Sequence, residues 1–107
     1  MSVFVFRYVY DDANAAMMDK LRPQHRAYLG EGAQRDIVLA SGPLTDGSGA
    51  LILVKAQDKD DALHFMNHDP FYVNGMVAER FCDEWKSVIG AFTCLLYTSD
   101  AADDMQC

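Results

Sequence analysis

The chain has 107 residues, of which half are hydrophobic, and this predicts one domain with a small core. Acidic residues outnumber basic ones by 16 to 9, so the net charge of −7 argues against nucleic acid or an anionic membrane as the main partner. No apolar run is long enough to span a bilayer, no basic stretch resembles a secretory signal, and the three cysteines lack metal or disulfide spacing. We therefore expect a cytoplasmic, reduced protein.

The first predicted element is a β-strand over residues 2–10, SVFVFRYVY. Its alternation places Val3, Val5 and Val9 with Arg7 on one face and four aromatic residues on the other, so both faces are largely apolar.

Helical sequence follows in residues 11–20, but Pro23 lies soon after. Proline inside a helix costs about 3 kcal/mol. The sequence therefore predicts a break, with a second helix that begins at Pro23 and ends near Gly30 or Gly32.

Two further strands are predicted over residues 36–41 and 50–56, and they are joined by the turn formers GPLTDGSG at residues 42–49. The nearly continuous apolar run ALILVKA at residues 50–56 is typical of a strand that is covered on both faces.

A helix over residues 58–69 begins with capping aspartates and ends before Pro70, and residues 71–76 form a connector. Charge-rich residues 77–87 fit an exposed edge strand that residues 88–92 would extend.

This order of elements, βαββαβ, predicts an α+β ferredoxin-like fold, in which an antiparallel four-stranded sheet carries two helices on one face. The other face would be left bare, although the first and third strands are apolar on both sides. A dimer whose two sheets pack face to face is the simplest cover for so much apolar surface, and a missing C-terminal segment is the alternative.

The last residues do not continue the preceding pattern. Residues 94–104, CLLYTSDAADD, resemble the conceptual translation of a sequencing adapter, and a natural disordered acidic tail is the alternative. We therefore predict a domain over residues 1–93, followed by an adapter-derived or disordered segment over residues 94–107.

Two residues are candidates for acid–base chemistry. His25 would share an apolar helix face with Leu21, Tyr28 and Leu29, where an imidazole is either a packed residue or a working group. Asp69 precedes Pro70 at a helix end, where a carboxylate is either a solvated turn residue or points into a cleft. If the two side chains met, the carboxylate would orient the imidazole as a general base.

Two other groups have weaker functional interpretations. Ser41, Gly42 and Pro43 lie at a strand end, where backbone N–H groups bind an anionic oxygen or simply form a turn. His64 and His68 have the helical spacing of a metal site but lack an identifiable third ligand, so no metal and no other cofactor is expected.

The motifs RPQH at 22–25, ASGPL at 40–44, G-x-L-x-x at 49–53 and DPF at 69–71 together resemble the YCII-related (YciI-like) family over residues 3–92. The resemblance implies a dimeric α+β barrel with a cleft in which a histidine and an aspartate act as acid–base groups, here His25 and Asp69. Relatives in the wider superfamily include muconolactone-type isomerases and dehalogenases, which act on small cyclic acids without metal. Asp36, where many relatives have a glycine-containing turn, is a less secure candidate.

The leading hypothesis is a small metal-free enzyme that acts on a small carboxylic acid or lactone-like metabolite. His25 and Asp69 would share the proton transfer, Arg22 would pair with a substrate carboxylate, and Ser41, Gly42, Pro43 and Phe71 would complete the binding site. The alternatives are a non-catalytic dimeric module that binds a small ligand or a protein, and a cofactor-free oxygenase.

Overall fold

A computed structural model of the protein describes residues 1–92. In chain order its elements are β1 (Ser2–Tyr10), a 3-10 turn (Asp12–Asn14), α1 (Ala15–Gln34), β2 (Val38–Pro43), β3 (Gly49–Ala56), α2 (Lys59–Met66), α3 (Pro70–Val73) and β4 (Val77–Trp85). The predicted α+β class is confirmed. The expectations for residues 94–107 fall outside the described residues. None of the helices in residues 1–92 has the length and apolar character needed to cross a membrane.

The four strands form one antiparallel sheet in the order β2-β3-β1-β4. β1 and β3 are the central pair, in register from Ser2 opposite Ala56 to Val9 opposite Gly49. Because each of these two strands has a neighbour on either side, its backbone groups pair within the sheet. β4 lies at one edge, as its charged sequence predicts, and β2 lies at the other.

The core lies between the sheet and the helices. Alternate side chains of β1, namely Phe4, Phe6 and Tyr8, are fully buried on this side, where Leu29 of α1 and Met66 of α2 pack in the same cluster. Both long helices therefore cover the same face of the sheet, as predicted. Burial of a large apolar side chain contributes about 1.5–3 kcal/mol, so this cluster is the main source of stability.

The predicted helix break at Pro23 is wrong, because α1 continues through it. Buried residues lie on both sides of the proline along one stripe of the helix: Met18 before it, and His25, Leu29 and Gly32 after it. A break would separate Met18, which packs with Phe71 and Met76, from the rest of this stripe. Burial of the stripe outweighs the cost of about 3 kcal/mol for the proline.

The predicted helix over residues 58–69 ends earlier, at Met66, and a second short helix, α3, follows beyond the predicted range. Asp58 caps α2 by accepting a hydrogen bond from the Asp61 backbone N–H at 2.8 Å. The chain then leaves the helix, and Asp69 caps α3 by accepting a hydrogen bond from the Phe71 backbone N–H. Part of the predicted connector is therefore helical, since the proline at the start of α3 suits the first turn of a helix.

The boundaries of the edge strands also differ from the prediction. β2 begins at Val38, two residues later than expected. Asp36 has a φ of 64°, a left-handed conformation that a strand does not contain, so it belongs to the turn between α1 and β2. β2 then continues through Gly42 and Pro43, which were expected to belong to the turn. β4 ends at Trp85, and residues 88–92 do not extend it.

One glycine is required where β3 begins beside β1. A methyl group on Gly49 would overlap the backbone carbonyl oxygen of Tyr8 and would lie 3.1 Å from its carbonyl carbon. Gly49 therefore sets how closely β3 approaches β1 at Tyr8.

Candidate functional site

The central feature of the site is a contact between His25 and Asp69. His25 Nδ1 lies 2.7 Å from Asp69 Oδ1, although the two residues are 44 positions apart in the sequence. Asp69 is fully buried, and about nine-tenths of His25 is buried. An ionised carboxylate only accepts hydrogen bonds, so Nδ1 carries the ring proton and donates a hydrogen bond to Asp69. Nε2 is then the acceptor nitrogen of the neutral imidazole.

The start of α3 fixes the carboxylate of Asp69. Oδ1 accepts a second hydrogen bond from the Phe71 backbone N–H at 3.1 Å, and Oδ2 accepts one from the Tyr8 hydroxyl at 2.8 Å. Pro70 suits this turn because its fixed φ favours the first helical position and biases Asp69 toward an extended backbone.

The ring of Phe71 stacks on the imidazole of His25. The ring centroids are 4.0 Å apart, and the planes are inclined by only 8°. Phe71 is itself buried, and its ring meets Tyr10 edge-on at 5.8 Å. The imidazole is therefore held by a hydrogen bond at Nδ1 and by an aromatic surface on one face.

A cavity of about 220 Å³ opens beside His25. Its walls come from α1, β1, β2, β3 and α3, and its lining residues are Tyr10, Arg22, His25, Arg26, Leu29, Ser41, Gly42, Pro43, Ala50 and Phe71. The residues expected to bind substrate, together with His25, all line this cavity, and Asp69 bonds to the imidazole. The less secure candidate Asp36 does not line it.

Two guanidinium groups lie on one side of this cavity. Arg22 and Arg26 are one turn apart on α1. Arg22 also pairs with the exposed carboxylate of Asp19, and its guanidinium carbon lies 5.9 Å from the centre of the Phe71 ring. The cavity thus combines positive charge with aromatic surface, a combination that favours a small anion with an unsaturated or cyclic body.

The first two residues of the turn expected over residues 42–49, Gly42 and Pro43, are instead the end of the edge strand β2. Gly42 has neither a positive φ nor a close neighbour, since nothing lies within 4 Å of the position that a methyl group would take. Its contribution is therefore its backbone alone. Residues of an edge strand leave some N–H and C=O groups unpaired with the sheet.

Sequence reasoning missed the part that two tyrosines play in the site. Tyr8 and Tyr10 were assigned to an apolar strand face, yet the Tyr8 hydroxyl binds Asp69, and Tyr10 lines the cavity. Burial and, to a smaller extent, the charge of Asp69 raise the pKa of Tyr10 to about 12. The presence of phenols rather than phenylalanines at alternate positions of a buried strand was the available signal, because buried hydroxyls need partners.

The pair His64 and His68 lies elsewhere. His68 Nδ1 bonds to the backbone oxygen of His64 at 2.8 Å, and the two rings meet edge-on at 4.9 Å. Both residues line a separate cavity, away from His25. Within residues 1–92 no group of three histidine, cysteine or acidic side chains is placed to hold a metal ion.

Comparison with known proteins adds two findings. A model of the YCII-related domain family matches residues 3–86. Among solved structures, the fold is similar to that of 5-chloro-2-hydroxyhydroquinone dehydrochlorinase (TftG) from Burkholderia phenoliruptrix AC1100 in complex with 2,5-dihydroxybenzoquinone, with a TM-score of 0.71 and 20% identity over 80% of this chain and 95% of that chain. At this identity the likeness shows the fold. A comparison with curated protein sequences finds no match.

Proposed function

The chain belongs to the family of YCII-related domains, as its motifs predict, and we propose that it is a small enzyme in which His25 and Asp69 perform acid–base chemistry on a small carboxylic acid or lactone-like metabolite. The observation that carries this proposal is the 2.7 Å contact from a fully buried carboxylate to an imidazole at the wall of a cavity. Structural histidines on apolar helix faces do not need a buried charge behind them.

His25 acts as the general base or acid, depending on the direction of the reaction. The hydrogen bond at Nδ1 leaves the lone pair of Nε2 free to take a proton from a bound substrate. Asp69 stabilises the imidazolium that forms. Proton transfer by a positioned imidazole contributes about 10²–10⁴-fold to the rate.

The cavity selects the size and charge of the substrate. Its volume of about 220 Å³ is below the 300–1,000 Å³ that is typical of sites for drug-sized ligands, so the ligand is a small metabolite. Arg22 pairs with its carboxylate, and Phe71 contacts its apolar body. The compound bound to TftG, 2,5-dihydroxybenzoquinone, is a small ring of this size class and supports the proposal.

The end of β2 serves the developing negative charge. Removal of a proton next to a carbonyl group turns its oxygen into an enolate. Backbone N–H groups at Ser41 and Gly42, which line the cavity on an edge strand, stabilise that oxygen when they point toward it. Pro43 has no N–H, so the donors are restricted to the two residues before it.

The test combines a ligand screen with matched histidine variants. Small carboxylic acids, lactones and 2,5-dihydroxybenzoquinone are screened by thermal shift, and compounds that raise Tm are then assayed for turnover. His25→Gln should lower kcat by about 10²–10⁴-fold. The exposed His64→Gln serves as the control and should keep full activity. Undiminished turnover by His25→Gln refutes the acid–base assignment, and binding without turnover by the unmodified protein favours the non-catalytic binding module.

We also propose that the protein is a homodimer through the outer face of its sheet, the face opposite the helices. Leu51, Phe81 and Trp85 lie on this face and are about 40% exposed, at 42%, 40% and 38%. An apolar groove of about 440 Å³ runs between Leu51, Leu53 and Trp85. Contiguous apolar surface of this kind marks an interaction site, and a second copy of the same face offers matching surface.

Analytical ultracentrifugation of residues 1–93, the predicted domain without the C-terminal segment, tests the dimer. At micromolar concentration we expect dimers that Leu51→Glu dissociates. Met17→Glu is the matched control, because Met17 is an equally exposed apolar residue on α1 and its loss should leave the dimer intact. A stable monomer in the unmodified protein refutes this assignment. We also propose that the protein is cytoplasmic, because Cys82, the one cysteine within residues 1–92, is a free, half-buried thiol that suits a reducing compartment.

A further inference from the structure

Tyr8 contacts the site through Asp69 and not through the cavity. Its side chain is fully buried in the centre of the sheet, and its hydroxyl donates a hydrogen bond to Asp69 Oδ2 at 2.8 Å. It does not line the cavity beside His25, so a substrate in that cavity does not touch it. Any influence of Tyr8 on the chemistry must pass through Asp69.

The three donors to Asp69 are divided between its two oxygens. His25 Nδ1 and the Phe71 N–H both contact Oδ1, whereas Tyr8 alone contacts Oδ2. Without the phenol, Oδ2 would be a buried acceptor with no partner in residues 1–92, and the carboxylate could rotate away from the imidazole. An unsatisfied buried group of this kind is strongly unfavourable.

Tyr8 is a donor under all ordinary conditions. Burial is the largest cause that raises the pKa of Tyr8 far above its usual range, and the charge of Asp69 and the hydrogen bond to it add to this effect. The phenol therefore keeps its proton. It can hold Asp69, but it cannot serve as a base in its place.

One cation lies on the far side of Tyr8. Arg80 of β4 is opposite Tyr8 in the sheet, and its charge acts against the rise in the pKa of Tyr8. Its guanidinium carbon lies 3.8 Å from the centre of the Tyr72 ring, and its Nη1 atom is buried without a hydrogen-bond partner in residues 1–92. The charge of Arg80 therefore acts on Tyr8, the residue that bonds to Asp69.

The side chains that interact with Asp69 come from two elements. They are Tyr8 and Tyr10 from β1, and His25 and Tyr28 from α1. Only Tyr8 and His25 among these side chains bond to the carboxylate directly.

We propose that Tyr8 is a positioning residue that keeps Asp69 ionised and aimed at His25 Nδ1, so that His25 and Asp69 form a working pair at neutral pH. This inference rests on the proposed acid–base function. It adds a third side chain to the pair and assigns it a role in setting the pH range of the site.

The test compares Tyr8→Phe with Tyr28→Phe. Tyr28 is a suitable control because its hydroxyl also donates to an acceptor within the helix layer, the Phe65 backbone oxygen at 2.8 Å, but does not bond to Asp69. The ¹⁵N and ¹H resonances of the His25 ring are followed as the pH is lowered. Hydrogen bonding to an ionised carboxylate favours the ionised form, so loss of the phenol makes the pair take up its proton at higher pH.

In Tyr8→Phe we expect the midpoint of this titration to move up by about 0.5–1 pH unit, whereas Tyr28→Phe leaves it unchanged. An unchanged midpoint in a folded Tyr8→Phe protein overturns the proposal. If Tyr8→Phe does not fold, replacement of tyrosine by 3-fluorotyrosine strengthens the donor. The midpoint should then move to lower pH, and no movement again overturns the proposal.

The same experiment separates this inference from the function on which it rests. In the resting protein the titration reports the His25–Asp69 pair without any substrate. A shifted midpoint together with full turnover by His25→Gln refutes the acid–base role of His25 and leaves the positioning role of Tyr8. An unshifted midpoint together with loss of turnover in His25→Gln refutes the positioning role and leaves the enzyme.

Discussion

Gly49→Ala should strongly destabilise the fold and disturb the site at the same time. The added methyl group would overlap the carbonyl oxygen of Tyr8, which is backbone in a central strand and cannot turn aside as a side chain could. Overpacking of a core costs about 1–3 kcal/mol, and this contact lies at the upper end of that range.

The displacement of Tyr8 adds a second cost. Its hydroxyl lies 2.8 Å from Asp69 Oδ2, and a hydrogen bond to a charged group contributes about 1.5–3 kcal/mol. A partial loss of this bond brings the expected total to about 3–4 kcal/mol. For a domain of this size, 1 kcal/mol corresponds to about 4–8 °C, so Tm should fall by about 12 °C or more.

Thermal unfolding followed by circular dichroism measures this effect. Gly42→Ala is the control, because nothing lies within 4 Å of the position its methyl group would take and its stability should change by less than about 1 kcal/mol. Equal Tm values for the two variants would refute the reasoning that Gly49 sets the approach of β3 to β1.

Three further changes test other parts of the fold. Pro23→Ala should raise the free energy of unfolding by about 1–2 kcal/mol, because it restores a backbone donor inside α1. Urea titration measures this change, and a lower stability would contradict a continuous helix. Asp58→Ala should lower it by about 1 kcal/mol through loss of the α2 cap, while Asp58→Ser should be nearly neutral; equal losses in both variants would contradict the capping role. The pKa of Tyr10 is about 12 in the folded protein and about 10 in the unfolded chain, so its contribution to stability is complete below pH 10 and is lost as the pH rises toward 12. Tyrosinate absorbance and unfolding measured over this pH range should show the loss together, and an ordinary Tyr10 pKa in the folded protein would contradict its burial.

Much of the fold was readable from the order and spacing of apolar residues. The sequences of β1 and β3 predict two strands that are apolar on both faces, and the charged sequence of β4 predicts the edge strand that the structure has. The predicted helix break at Pro23 was wrong because the local conformational preference of proline does not include the burial of the α1 residues before and after it. The helix α2 ends at Met66 with Asn67 as its C-cap, three residues before the end that the proline predicts.

The site was partly readable for the same reason. His25, Arg22 and Asp69 stood out because their chemistry is unusual for their positions, and the structure brings them together. Tyr8 did not stand out, because a tyrosine in an apolar strand usually contributes packing. Its partner lies 61 residues away, and no local pattern records a hydrogen bond across that separation.

Asp69 both begins α3 and holds the imidazole, and these two tasks use the same oxygen. The rate of hydrogen exchange at the Phe71 backbone amide therefore reports whether Asp69 is in place to orient His25. Slow exchange would indicate that the carboxylate bonds to the amide, and faster exchange would indicate that it has lost its contacts with both α3 and the imidazole.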